Sequence, residues 1–206
     1  IQFNGGTRYS QKLVGSVPPG ETFVMSAYSN EFSGYYGFAA DQYNGITSGN
    51  GNDGYFLYFG GDYTTGVLID AFGVIGEDGI GKSWNYYQTK AVRLRSVTSP
   101  SSIWDESEWD IPTEASYEDM TPSEHNENVS WQVNAGNNNW NYKSTGNWSG
   151  THGYIPDASF NVTIPTSNNY YPSINGQAAC NTLTINTNAV LTISTDKSLT
   201  IYGQQP

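Results

Sequence analysis

Short apolar runs separated by turn-forming residues recur about every ten positions in the first half of the chain, the rhythm of strands rather than helices. Ile1-Gln2-Phe3 runs into the Asn4-Gly5-Gly6 turn. Tyr9 to Val14 can return antiparallel beside it, because Asn-Gly supplies the positive φ angles of a tight hairpin. After the punctuation of Val17-Pro18-Pro19-Gly20, Thr22-Phe23-Val24-Met25-Ser26 alternates as a strand. Tyr28 to Asn50, rich in Gly, Tyr and Asn, reads as a long surface loop with one weak strand near Phe38. Asn50-Gly51-Asn52-Asp53-Gly54 is a turn, and the nearly continuous apolar run Tyr55 to Phe59 is expected to be a strand covered on both faces. Val67-Leu68-Ile69 begins another strand, which leaves its sheet between Asp70 and Gly73. From Lys90 to Val97 the alternation predicts Val92 and Leu94 facing a core and Arg93 and Arg95 facing solvent. No window of eleven or more residues has helical spacing, so almost no helix is expected. About seven strands over the first ~110 residues, with a turn every ten or so, is the spacing of a Greek-key β-sandwich.

From Ile111 to Ser130 the pattern lapses. Nine acids fall between Asp105 and Glu127, and no Lys or Arg occurs between Arg95 and Lys143. Such a stretch reads as an acidic linker, kept extended by self-repulsion. Residues 1–110 are therefore one β-sandwich domain, 111–130 a linker, and 131–206 a second, β-rich module. That module carries the one internal repeat: Leu183-Thr184-Ile185, Leu191-Thr192-Ile193 and Leu199-Thr200-Ile201 recur at a spacing of eight, with Leu and Ile on one face and Thr on the other. Eight residues are too few for a parallel crossover within one sheet. The triplets are thus either an antiparallel meander or successive sides of a β-solenoid coil.

Composition narrows the function classes. The net charge of −11, from 19 acidic and 8 basic residues, opposes a phosphate backbone and argues against nucleic acid as a partner. A single cysteine, Cys180, excludes an intrachain disulfide and a cysteine-rich zinc site, and its simplest role is that of a small buried hydrophobe. No run approaches the ~18 apolar residues of a membrane span. The chain opens at Ile1-Gln2-Phe3 without Met or a signal-like segment, so the natural start is expected upstream. Sparse Lys, abundant Asn, Gly, Thr and Tyr, and near-absence of Cys suggest an extracellular bacterial protein.

Few residues invite a chemical role. Asp105, Glu106, Glu108 and Asp110 beside Trp104 and Trp109 could act as an acid/base pair for glycoside hydrolysis, but such carboxylates normally face each other from separate elements across a cleft, and a strand end with acids in solvent is the simpler reading. Asp53, Asp62, Asp70, Glu77 and Asp78 lie in or beside Gly-rich turns, where Ca²⁺ ligands occur. Without a calcium-loop pattern, turn formation explains them better, so no cofactor is expected. Trp84, Tyr86 and Tyr87, or Trp140, Tyr142 and Trp148, could form a flat aromatic platform for sugar rings, against a competing role in the core. The second trio, Trp140, Tyr142 and Trp148, supplies the candidate ligand-binding residues. His125 and His152 lie far apart with no ligand-spaced partner, and no nucleophile elbow, phosphate loop or CxxC pair occurs, so no catalytic or metal residue is assigned.

In order, Pro-Gly before a Thr-Phe-Val strand, Asn52-Asp53-Gly54, Leu68-Ile69-Asp70-Ala71-Phe72-Gly73, Gly76-Glu77-Asp78, Trp84, Arg93-Leu94-Arg95 and Trp104-Asp105-Glu106-Ser107-Glu108-Trp109 resemble the bacterial lamin tail domain. The resemblance covers about residues 1–110 and implies an immunoglobulin-like sandwich, here without the family's first strands, which would leave a sheet edge exposed. The second half resembles a module of large surface proteins exported by the type IX pathway, in which Trp-Asn-rich openings lead to Val-Thr-Ile-Pro and Leu-Thr-Ile repeats. Together these imply non-catalytic adhesion, assembly or structural modules of a larger protein, secreted or on the outer surface of a Gram-negative bacterium. The expected partners are other surface proteins or polysaccharide, and the type IX machinery during export. The competing implication is the accessory region of an extracellular nuclease or carbohydrate-active hydrolase whose catalytic domain lies elsewhere.

Overall fold

The computed structural model describes residues 1–113, 115, 120–123, 128–132, 137–142, 147–149, 155–166 and 170–203. The chain divides into two compact units, one of Ile1–Ala91 with Thr98–Glu114, the other of Val92–Val97 with Ala115–Pro206.

Unit 1 begins with the expected turn. Asn4 and Gly5 take φ of 49° and 68°, the chain reverses, and Gln2 forms antiparallel bridges to Arg8 and to Gly54. A side chain at Gly5 would put its Cβ 2.6 Å from the carbonyl carbon of Glu77, so both the dihedral and the close backbone approach require glycine. Strands β1 (Met25–Ser26) and β2 (Gln42–Tyr43) pair in parallel. Between them lies helix α1, Ser29–Tyr36, where a loop was expected. Its sequence has little helical amphipathicity, and aromatic contacts hold it instead: Phe32 meets Tyr36 at 4.8 Å and Phe38 edge-on at 5.4 Å. Gly37 ends it in the left-handed conformation, its N–H donating to the Ser33 carbonyl.

Strands β3 (Tyr55–Phe59) and β4 (Val67–Phe72) form an antiparallel hairpin with a bulge between Leu57 and Tyr58. β3 is not covered on both faces as its apolar run suggested. Leu57 is 42% and Phe59 73% exposed, and among the described residues β3 pairs only with β4. β5 (Val92–Arg93) is shorter than the predicted strand. Arg93 and Arg95 are half-buried rather than facing out, and within unit 2 Arg95 Nη1 reaches the Ser159 carbonyl at 3.5 Å. A single-turn helix, Glu106–Glu108, leads into β6 (Trp109–Asp110).

Unit 2 is a β-solenoid, and its register resolves the choice left open by the triplets. β7 (Asn128–Ser130), β8 (Asn161–Ile164) and β11 (Thr182–Ile185) stack in parallel, with β8 in the middle. β9 (Ser173–Ile174) lies parallel to β12 (Thr192–Ile193), and β10 (Gln177–Cys180) to β13 (Ser198–Ile201). The three Leu-Thr-Ile triplets are thus successive sides of one coil. Asn188 and Asp196, at φ of 65° and 60°, turn its corners, residue types that tolerate the left-handed region. The solenoid also starts inside the predicted linker, since β7 spans 128–130. The remainder of that stretch lies largely outside the described residues.

Apolar positions stay in register from coil to coil: Val129, Val162 and Leu183 share one rung, and Ile164 and Ile185 another. The core joins Val129, Val162 and Ile164 to Trp131, Trp140, Trp148, Phe160, Ile174 and Cys180, with Leu183 packed against it. Outside, a polar ladder runs with the rungs. Asn161 Nδ2 donates to Asn128 Oδ1 at 2.9 Å, and Asn161 Oδ1 accepts from Asn181 Nδ2 at 2.7 Å and Thr182 Oγ1 at 2.9 Å. Asn is abundant here because its amide both donates and accepts, so identical groups can stack.

Candidate functional site

The densest motifs of unit 1 converge on an aromatic cluster. Phe72 at the end of β4 meets Trp104 at 5.1 Å and Trp109 at 4.8 Å, both edge-on, and Trp84 meets Trp104 at 5.9 Å. Trp104 Nε1 donates to Ser83 Oγ at 3.0 Å. Gly73 and Gly79 press against the Trp84 indole, where a Cβ would stand 3.1 and 2.8 Å from its ring. The turn before β3 is tied to the same place. The Gly79 N–H donates to the Asn52 carbonyl at 3.0 Å, and Asn52 Nδ2 donates to Asp78 Oδ1 at 2.7 Å.

The acids of these turns are engaged one by one in hydrogen bonds and one ion pair. Asp53 is buried and accepts the N–H groups of Asn4 and Asn50 at 3.0 and 2.9 Å. Asp70 accepts from Ser101 N at 3.0 Å, and Glu77 pairs with Lys82 at 2.7 Å on the surface. Asp62 and Asp105 sit in solvent and close their own turns. Hydrogen bonds from Thr64 hold the Asp62 carboxyl below its ordinary range, and those from Ser107 do the same for Asp105. Among the described residues no three His, Cys, Asp or Glu side chains gather as a metal site would require. Asp105, Glu106 and Glu108 share a single turn, whereas an acid/base pair needs two carboxyls about 5–9.5 Å apart across a substrate.

A groove of about 940 Å³ runs beside β3. Its lining includes Tyr9, Leu57, Tyr58 and Tyr63, together with the charged Arg8, Asp62 and Asp70. The Arg8 guanidinium lies 4.9 Å from the centre of the Tyr63 ring, a cation–π contact between two residues of the lining. Such a surface can take up extended or ring-shaped apolar groups beside a strand edge. Sequence reasoning did not find it, because Arg8, Leu57 and Tyr63 are brought together only by the fold.

The proposed sugar platform is not assembled. Trp140 and Trp148 have no exposed surface and meet edge-on at 4.7 Å inside the solenoid, and Trp148 Nε1 donates to the Trp140 carbonyl at 3.3 Å. Only Tyr142 is exposed, so the three rings present no common face. In the other trio Trp84 is buried, Tyr86 Oη donates to Tyr55 Oη at 3.0 Å, and only Tyr87 faces solvent. His125 and His152 lie outside the described residues. Cys180 is buried in the solenoid core, which pushes its thiol up to about 12. Among the described residues no helix is long and apolar enough to cross a membrane. No protein-family model, curated protein or solved structure matches the chain.

Proposed function

We propose that the chain forms non-catalytic modules of a larger, secreted bacterial surface protein: an immunoglobulin-like lamin tail domain followed by a β-solenoid, with adhesion, assembly or presentation as its role. One observation carries this reading. The conspicuous residues of both halves maintain shape: Asn52, Asp53, Asp78, Trp84, Trp104 and Trp109 interlock turns and aromatic rings, and the Leu-Thr-Ile triplets stack a coil. A fold whose distinctive side chains serve its own packing offers its partners loops, edges and grooves. The motifs on which the proposed lamin tail assignment rests supply Phe72, Trp84, Trp104 and Trp109 of this cluster. Surface proteins and polysaccharide are the proposed partners.

The test has two arms. The purified chain is incubated with DNA, RNA and a panel of polysaccharides to measure turnover, and with insoluble polysaccharide and outer-envelope fractions to measure binding. In parallel, protease shaving of intact source cells followed by mass spectrometry locates the protein. Binding without turnover, with peptides recovered from the cell surface, is the expected result. Turnover proportional to protein concentration and abolished in Glu106→Gln would overturn the non-catalytic reading, and peptides recovered only after cell lysis would overturn the surface location.

A further inference from the structure

An asparagine followed by glycine is chemically fragile, because the backbone nitrogen of a residue without a Cβ swings easily onto the side-chain amide and closes a five-membered ring. The chain holds four such pairs, Asn4-Gly5, Asn44-Gly45, Asn50-Gly51 and Asn175-Gly176. Three of them are held against that movement. Gly5 and Gly51 press on neighbouring backbone, where a Cβ would stand 2.6 Å from the Glu77 carbonyl carbon and 2.4 Å from the Tyr87 Cα. Asn44 caps a helical turn: its Oδ1 accepts from Ile46 N at 3.0 Å and its Nδ2 donates to Gln11 Oε1.

Asn175 differs in each respect. It is exposed at the corner between β9 and β10. Among the described residues neither its Nδ2 nor the Gly176 N–H donates a hydrogen bond, so leaving group and nucleophile are both open to water. The nearest neighbour of a Cβ at Gly176 would be the Asn141 side chain at 3.3 Å, not backbone. Asn175 Oδ1, by contrast, is engaged. It accepts from Ser194 Oγ of the next coil at 2.6 Å, and Ser173 Oγ lies 3.5 Å away. Both hydroxyls are placed where negative charge gathers when the amide carbon is attacked.

We propose that Asn175 is a site of intramolecular deamidation, promoted by the Ser194 hydroxyl. The Gly176 nitrogen gives its proton to a base in solution and bonds to Asn175 Cγ, and the charge that develops on Oδ1 is held by Ser194. Collapse of this adduct breaks the bond from Cγ to Nδ2, which takes a proton from water and leaves as ammonia. A second water opens the resulting succinimide at either carbonyl, giving aspartate or isoaspartate. One water is consumed and one ammonia released overall. Both products add a negative charge to the corner, and isoaspartate also lengthens the main chain between Ile174 and Gln177, which pair with Ile193 and Ser198 of the next coil. This chemistry is independent of the role proposed for the whole chain.

Incubation of the purified chain at mildly alkaline pH, native and in urea, followed by peptide mapping with isoaspartate detection, tests it. In the native protein Asn175 is expected to convert several-fold faster than Asn4, Asn44 and Asn50, and in urea the four should convert at similar rates. Ser194→Ala should slow native conversion at Asn175 roughly fivefold, the rate equivalent of one hydrogen bond, and leave the rate in urea unchanged. Ser194→Thr, which keeps the hydroxyl, should restore it. Circular dichroism establishes that the variants are folded, and if Ser194→Ala is not, the native ranking of the four sites decides. Native conversion at Asn175 no faster than at the other three, a ranking already present in urea, or an unchanged native rate in folded Ser194→Ala would each overturn the proposal.

Discussion

Replacing Ile164 by Ala, with Ile185→Ala as its partner measurement, separates a stacked solenoid from any arrangement in which the two residues are unrelated. They share a rung, Ile164 in the middle coil with no exposed surface and Ile185 in the last coil at 45% exposure. Truncating Ile to Ala removes three carbons. At about 0.8 kcal/mol per buried methylene this is about 2.4 kcal/mol for Ile164, and the cavity enclosed between β7 and β11 brings the loss to about 3–4 kcal/mol. Ile185 has already left nearly half of its surface in water, and its removal opens onto solvent instead of creating a void, so about 1 kcal/mol is expected. Urea unfolding followed by far-UV circular dichroism reads both. With a slope near 2 kcal/mol per molar, the midpoint falls by roughly 1.5–2 M for Ile164→Ala and by roughly 0.5 M for Ile185→Ala. Equal shifts, or a loss below about 1 kcal/mol at Ile164, would refute the stacking, because no buried rung position tolerates a void of that size so cheaply.

Three further outcomes follow from individual contacts. Asn161→Ala removes the side chain shared by Asn128, Asn181 and Thr182 and is expected to lower stability by about 1–3 kcal/mol in the same unfolding assay, whereas an unchanged midpoint would mean that the ladder contributes nothing. Cys180, buried and with its thiol held at about 12, should resist thiol-specific reagents in the native protein near pH 8 and react fully in denaturant, so rapid native labelling would contradict its place in the core. Burial raises the phenols of Tyr55 and Tyr86, so above about pH 10 the unfolded chain releases protons that the folded chain keeps, and stability is lost as pH rises through that range. Melting temperatures measured upward from pH 8 should therefore fall steeply past ~10 and less steeply in Tyr86→Phe, and parallel curves for the two proteins would count against the pair as the source.

Much of this was written locally in the chain. The spacing of eight marked Leu183, Leu191 and Leu199 as equivalent, and the Leu-in, Thr-out, Ile-in alternation set their orientation. Choosing the solenoid over the meander needed the partner of β11, and that is β8. Val162-Thr163-Ile164 differs from Leu183-Thr184-Ile185 only at its first residue, but it stands outside the spacing of eight, so the sequence did not mark the two as stacked. Helix α1 was missed because its helicity comes from rings packed by the fold rather than from a periodic apolar face. Trp140 and Trp148 illustrate a further limit: periodicity places a large aromatic on a face but does not say which face is inside, and only the coil closing around them decided that. The groove had no local signal at all, since its residues come from distant segments.

The most direct test of the parallel coil stack is a set of interstrand nuclear Overhauser contacts in the purified chain. Backbone contacts linking Val162 with Leu183, Ile174 with Ile193 and Ala178 with Leu199 are the expected result. Contacts linking the successive triplets to one another in antiparallel register, with none back to residues 161–164, would show a meander and contradict the solenoid.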